Sequence, residues 1–220
     1  MKIGIDVDSV LASFIPAYHT LIRSTSGRDL FFPDDDDNPP CWNAPEFRGY
    51  TKAEVNAAWA VIVNSPDFWQ SLASLPGMCT LASIWDELDK IHEVTFITSR
   101  PGIRTREQTE QWLVNTFMTY ITPHVIVVGL RAKGAMAKHL NLDVYIDDNY
   151  DNALDVVQQS PKTRGYLLNC SYNSDPELYE ERWISGYAAK SELDTVESRR
   201  VNSLEEFFQR EGLIPIHATV

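Results

Sequence analysis

A chain of 220 residues, 44% hydrophobic and 23% charged, has material for one domain with a large insertion, or for one and a half domains. Its formal net charge of −12, with no Lys/Arg cluster beyond Arg199-Arg200, excludes a nucleic-acid polymer as the main substrate, because backbone phosphates call for a basic face. No apolar run is long enough for a membrane span, and Cys41, Cys79 and Cys170 are odd in number, widely spaced and without a Cys-x-x-Cys pair, which argues against a disulfide framework or a zinc site. The opening residues do not read as a secretory signal, and a reducing cytoplasm is the simpler expectation.

Residues 2–7 read as a first strand, central in its sheet, ending in Asp6-Val7-Asp8. Carboxylates this close repel each other and raise each other's pKa unless a cation lies between them. The pair therefore suggests Mg²⁺, a hard ion that takes oxygen ligands, and an aspartate nucleophile beside a proton-shuttling carboxylic acid. A solvated strand end is the plainer alternative for Asp-x-Asp taken alone.

From Leu11 to about Ser24 apolar residues recur at helical spacing, and Gly27 fits the end of that helix. Residues 28–50 form an irregular loop with Phe31-Phe32-Pro33, four aspartates at 34–37, Pro39-Pro40 and Trp42. The acidic run reads as a solvated turn, with a divalent-ion site as the alternative. Thr51 with Glu54 predicts a capping box opening a helix to about Asn64, and Ser65-Pro66 predicts a short further helix carrying Phe68, Trp69 and Leu72. These aromatics read as insertion core, or as a platform for a ligand.

An amphipathic helix is expected from Met78 to about Lys90, then a buried strand at 94–97 ending in Thr98-Ser99-Arg100. Thr105 with Gln108 suggests another capping box, opening a helix through Phe117. A third strand at 125–128, a helix from Ala132 to Leu140, a fourth strand at 144–146 ending in Asp147-Asp148, a helix from Tyr150 to Gln158 and a strand at 166–168 complete the alternation. Asp175-Pro176 reads as a helix start reaching about Ile184, residues 185–199 as loop, and Ser203 with Glu206 as the cap of a last helix. This alternation predicts an α/β fold, a Rossmann-like doubly wound parallel sheet, whose site lies outside the carboxyl ends of the strands. Asp6, Asp8, Thr98, Ser99, Asp147 and Asp148 all fall at such ends. His19 reads as structural, and the five histidines show no metal-ligand spacing.

Asp-x-Asp after the first strand, Thr-Ser after the second, a lysine before the fourth and Asp-Asp after it resemble, in this order, the haloacid dehalogenase-like (HAD) superfamily of phosphotransferases. Residues 6–12, Phe68-Trp69, Leu75-Pro76-Gly77, Ile97-Thr98-Ser99 and 143–148 more closely resemble the 5′(3′)-deoxyribonucleotidases and their phage and bacterial relatives. The likeness covers roughly residues 2–157, with Arg200-Val201-Asn202-Ser203-Leu204 similar to a common ending. It implies an α/β core of residues 1–11 and 76–220 and a small helical cap of residues 12–75.

By that resemblance Asp6 is the nucleophile, forming an aspartyl-phosphate, and Asp8 protonates the leaving oxygen and later activates water. Thr98 and Ser99 hold phosphate oxygens. Lys133, favoured over Lys138, balances charge. Asp6, the Asp8 carbonyl, and Asp147 or Asp148 hold Mg²⁺. Arg100 departs from the animal enzymes, which have proline there; it reaches the phosphate or sugar, or pairs with a cap carboxylate. Phe31, Phe32, Phe68 and Trp69 are candidate substrate contacts in the cap. The implied activity is hydrolysis of (deoxy)nucleoside monophosphates, with no membrane partner and a homodimer open as an assembly. The alternatives are a phosphatase for another small phosphate ester and a non-catalytic phosphorylatable or binding module. A response-regulator receiver fits less well, since its phospho-acceptor follows the third strand.

Overall fold

The computed structural model describes residues 1–41, 43–120, 122–174, 185 and 187–214. Six parallel strands form one sheet: β1 (Lys2–Ile5), β2 (Glu93–Thr98), β3 (His124–Val127), β4 (Val144–Asp147), β5 (Arg164–Leu168) and β6 (Arg200–Val201). Their order is β3-β2-β1-β4-β5-β6, so the strand nearest the N-terminus is central. This is the doubly wound order, with its topological switch between β1 and β4. Ile3 to Ile5 of β1 and Val144 to Ile146 of β4 are buried runs without charge, as strands covered on both faces must be.

The connecting helices are α4 (Pro76–Ile91), α5 (Thr105–Phe117), α6 (Lys133–Leu140) and α7 (Tyr150–Gln159), followed by α8 (Lys190–Ser198) and α9 (Leu204–Arg210). Leu81, Trp85 and Leu88 form the buried stripe of α4. Two glycines decide how close the site's supports come. A Cβ on Gly4 would meet Tyr145 Cδ2 at 2.7 Å, so its absence lets the Tyr145 ring lie against β1. A Cβ on Gly134 would meet the Asp155 carbonyl at 2.2 Å, so α6 seats on α7 only because this position is glycine.

Between β1 and α4 lie α1 (Phe14–Ser26), the single turn α2 (Ala44–Phe47) and α3 (Lys52–Asn64). The chain leaves the sheet and returns side by side: Ala12 pairs with Ser74 in an antiparallel bridge, and Leu75 N–H donates to the Leu11 carbonyl at 2.7 Å. Phe14, Tyr18, Trp59, Phe68 and Trp69 stack among themselves and join the hydrophobic cluster that continues under β1.

Several expectations meet the structure directly. The Thr51–Glu54 capping box forms on both sides. The helix expected after Ser65-Pro66 is instead a chain of turns, although Ser65 Oγ does accept from Phe68 N at 3.0 Å. Tertiary bonds replace the helix there: Trp69 N donates to Gln108 Oε1 at 3.0 Å, and Gln108 Nε2 donates to the Ser65 carbonyl at 3.1 Å. Thr105 with Gln108 is therefore not a capping box, and the N-cap position is Arg104, at φ 50°. The stretch expected as loop, 185–199, contains α8, whose apolar face is only Leu193 and Val196 and so leaves a weak pattern. Ser203 caps α9, but Glu206 reaches Asn202 N rather than Ser203. Trp42 and the helix expected over 175–184 lie outside the described residues. No described helix is long and apolar enough to cross a membrane.

Candidate active site at the ends of β1 and β4

The tight loop after β1 turns at Ser9, whose φ of 59° is left-handed, and closes with Leu11 N and Ala12 N both donating to the Val7 carbonyl. It leaves Asp6 buried and Asp8 half-buried at the carboxyl edge of the sheet. Asp6 N donates to the Ile146 carbonyl, which sets β1 beside β4 at the level where Asp147 and Asp148 emerge.

Asp6, Asp147 and Asp148 are all buried, and each offers a carboxylate oxygen such that these atoms lie within 4.8 Å of one another. Lys133, the first residue of α6, is itself buried and inserts its Nζ at 2.5 Å from Asp6 Oδ1 and 2.8 Å from Asp147 Oδ2. Lys138, in the last turn of α6, is exposed, so the two sequence candidates are separated. Tyr145 Oη donates to Asp147 Oδ2 at 2.5 Å, while Asn149 N and Asn152 Nδ2 donate to Oδ1. Tyr172 Oη donates to Asp148 Oδ2.

Electrostatics mark this cluster as short of positive charge. Burial, reinforced by the neighbouring Asp147 charge and opposed by Lys133, drives the Asp6 pKa well above the usual carboxylate range. Burial and Asp147 likewise push Asp148 up to about 7, against the Tyr172 hydrogen bond. Burial alone would discharge Lys133, but the Asp147 and Asp6 carboxylates outweigh it and raise its pKa. Three carboxylates around one ammonium form an all-oxygen donor set that fits a hard divalent cation, which would let all three ionise together.

Asp8 stands apart. Its carboxylate takes a fork from Arg100: Nε lies 3.0 Å from both oxygens and Nη2 2.9 Å from Oδ1. Thr98 Oγ1 adds a weaker bond at 3.3 Å, and Ser99 is half-buried beside it in sequence. The Arg100 side chain is 0% exposed. It pairs with Asp8 rather than with a carboxylate of residues 12–75, and lies between Trp69 and Trp112.

A cavity of about 1060 Å³ is lined by Ser9, Ile15, Asn38, Asn169, Arg200 and Tyr172; Asp6, Asp8, Lys133, Asp147 and Asp148 do not line it, and its link to them is Tyr172, whose hydroxyl donates to Asp148. None of Phe31, Phe32, Phe68 or Trp69 lines it. Trp69 is buried with its Nε1–H donating to the Pro101 carbonyl at 3.0 Å, and Phe68 packs edge-on against it. Phe31 is buried on the His19 ring, and Phe32, exposed, lies under Arg48. Phe31, Phe68 and Trp69 thus pack within residues 12–75 and against the sheet's core, while Phe32 stays mostly exposed. His19, as expected, is structural: it is buried and bonded to Asp36 through Nδ1 at 2.9 Å.

Sequence reasoning missed Tyr145, Tyr172 and Asn152. Asn149, an N-cap directly after Asp147-Asp148, was the one local signal that the acidic pair abuts a helix start.

No protein-family model matches the chain, and no curated protein matches it significantly. Among solved structures it is similar to a hydrolase from Pseudomonas syringae, at 14% identity over 97% of this chain and 99% of that one, with a TM-score of 0.50. It is also similar to a HAD family hydrolase from Deinococcus radiodurans R1 with bound phosphate and sodium, at 12% identity over 96% and 95%, with a TM-score of 0.53. The six-stranded parallel sheet with its flanking helices is thus the fold found in HAD-family hydrolases.

Proposed function

We propose that the chain is a Mg²⁺-dependent phosphomonoesterase of the HAD type, acting on (deoxy)nucleoside monophosphates through an aspartyl-phosphate. The observation that carries this reading is the buried Lys133 ammonium held between Asp6 and Asp147, with Asp148 completing an acidic trio at the switch of the sheet. The phosphate and sodium bound by the Deinococcus protein support it. The ion, held by Asp6, the Asp8 carbonyl, Asp147 and Asp148, would supply charge neutralisation for an approaching phosphate dianion.

The chain's own groups then divide the work. An Asp6 carboxylate oxygen bonds to phosphorus as the bond from phosphorus to the ester oxygen breaks. Asp8, as the acid, gives its proton to that leaving oxygen, so an alcohol departs. Asp8, now a carboxylate, takes a proton from the water that attacks the aspartyl-phosphate. This frees inorganic phosphate and restores both side chains. Lys133 favours the Asp6 anion and orients it, and Thr98 and Ser99 hold phosphate oxygens.

The organic part of the substrate belongs in the cavity that Ser9 and Tyr172 line. Its volume is ample for a nucleoside. The Ser9 hydroxyl, buried and without a partner in the described structure, lines it and is available to a ligand. A panel of nucleoside monophosphates, sugar phosphates and p-nitrophenyl phosphate, each with Mg²⁺ and with EDTA, tests the proposal. Phosphate release confined to Mg²⁺ and fastest with a nucleoside monophosphate is the expected result. Preference for a sugar phosphate would move the reading to another small ester, and no release from any substrate would favour a binding module.

A further inference from the structure

Asp6 and Asp8 are two residues apart, yet they are held by different cations. Lys133 holds Asp6 from the β4 side, and Arg100 holds Asp8 from the β2 side. The Arg100 guanidinium is fixed on every side. Its Nη1 donates to Thr109 Oγ1 at 2.9 Å, and that hydroxyl donates in turn to the Thr105 carbonyl at 2.8 Å, anchoring the fork to α5. The Trp69 and Trp112 rings face it at 4.9 and 5.9 Å. Those rings are themselves tied down, Trp69 to Pro101 and Trp112 to the Leu72 carbonyl at 2.7 Å.

We propose that Arg100, braced by Thr109 and the two tryptophans, is the positioning residue that aims the Asp8 carboxyl group at the leaving oxygen. The inference rests on the phosphomonoesterase reading. Its physical basis is the planar fork: contacts to both oxygens of one carboxylate set its plane as well as its place, which a lysine point charge cannot do. The same contacts leave the Asp8 side chain 18% exposed, so it is clamped without being sealed from a substrate. A proton donor misdirected by a fraction of an ångström loses much of its effect, and an ester with a poor leaving group feels that loss most.

The test compares two esters by kcat/KM, which reports the steps through alcohol release. One is p-nitrophenyl phosphate, whose leaving group departs readily without a proton. The other is an alkyl phosphate, glycerol 2-phosphate or a nucleoside 5′-monophosphate, whichever the wild type cleaves faster. Arg100→Met should lower kcat/KM for the alkyl ester about 100-fold and for the aryl ester less than about fivefold. Arg100→Lys restores the charge without the fork and should keep most of that selectivity. Thr109→Val leaves Arg100 in place and removes only its anchor. It should give a smaller loss, about fivefold, again confined to the alkyl ester. It also serves if Arg100→Met does not fold. Equal losses on both esters would make Arg100 a phosphate-binding or purely structural residue and overturn the inference alone, as would no loss on either. A wild type inert on both esters with Mg²⁺ would instead overturn the phosphomonoesterase reading, and this inference with it.

Discussion

Two acid-rich regions of this molecule differ in how their charge is balanced. In the loop after α1, the Arg48 fork meets Asp35 at 2.6 and 2.7 Å, and Arg23 and His19 meet Asp36. Acid and base match locally, and the run of four aspartates is neither a metal cluster among the described residues nor a fully solvated turn. At the ends of β1 and β4, three buried carboxylates face one buried ammonium. The denser acidic stretch in the sequence is therefore the quieter one in the structure. A deficit of positive charge in a buried place, rather than a count of aspartates, marks where a cation and an anionic substrate belong.

The contrast can be broken most sharply at Asp6. Asp6→Asn removes the attacking anion while keeping its shape, and kcat for any substrate should fall about a thousandfold or more. Its melting temperature should not fall, because one of three mutually repelling carboxylates has gone. Residual turnover within tenfold of wild type would remove Asp6 from the nucleophile role. Next in size, Lys133→Met strips the cluster of its only ammonium and should destabilise the fold by about 3–5 kcal/mol, read by chemical denaturation without metal. Added Mg²⁺ should recover part of that loss, which no loop ion pair could do.

A third test uses pH. The Asp148 carboxyl holds its proton up to about 7 in the folded chain, against an ordinary value of 3.8 when unfolded. Between those values the folded state binds the extra proton. This contribution to stability is complete below pH 3.8 and is lost as pH rises through about 7. EDTA-treated protein should thus melt a few degrees higher near pH 5.5 than near pH 8, with Asp148→Asn flattening the difference. Mg²⁺ should stabilise more at the higher pH, where the carboxylates are charged. An unchanged slope in Asp148→Asn would discard the linkage. The smallest effect belongs to the balanced region. Asp35→Asn should cost a few degrees of melting temperature by unpairing Arg48, with kcat within about twofold of wild type. A large fall in kcat there would tie the loop to the chemistry.

Local pattern determined a good deal of this protein. Uncharged runs such as residues 3–5 and 144–146 are strands because both faces must be buried, and their alternation with helical periods leaves a parallel sheet as the outcome. The capping box at Thr51 and the placement of acidic pairs at strand ends were likewise legible, because each depends on residues close in sequence. Only the tertiary structure decided the rest. Lys133 rather than Lys138 reaches Asp6 because it opens α6 beside the strand ends, while Lys138 is exposed in the last turn of that helix. Arg100 turns to Asp8, 92 positions away, and Trp69 turns inward because Gln108 and Pro101 capture its two N–H groups. A side chain's partner across such a span depends on which faces meet when helices and sheet pack, and no spacing along the chain carries that information.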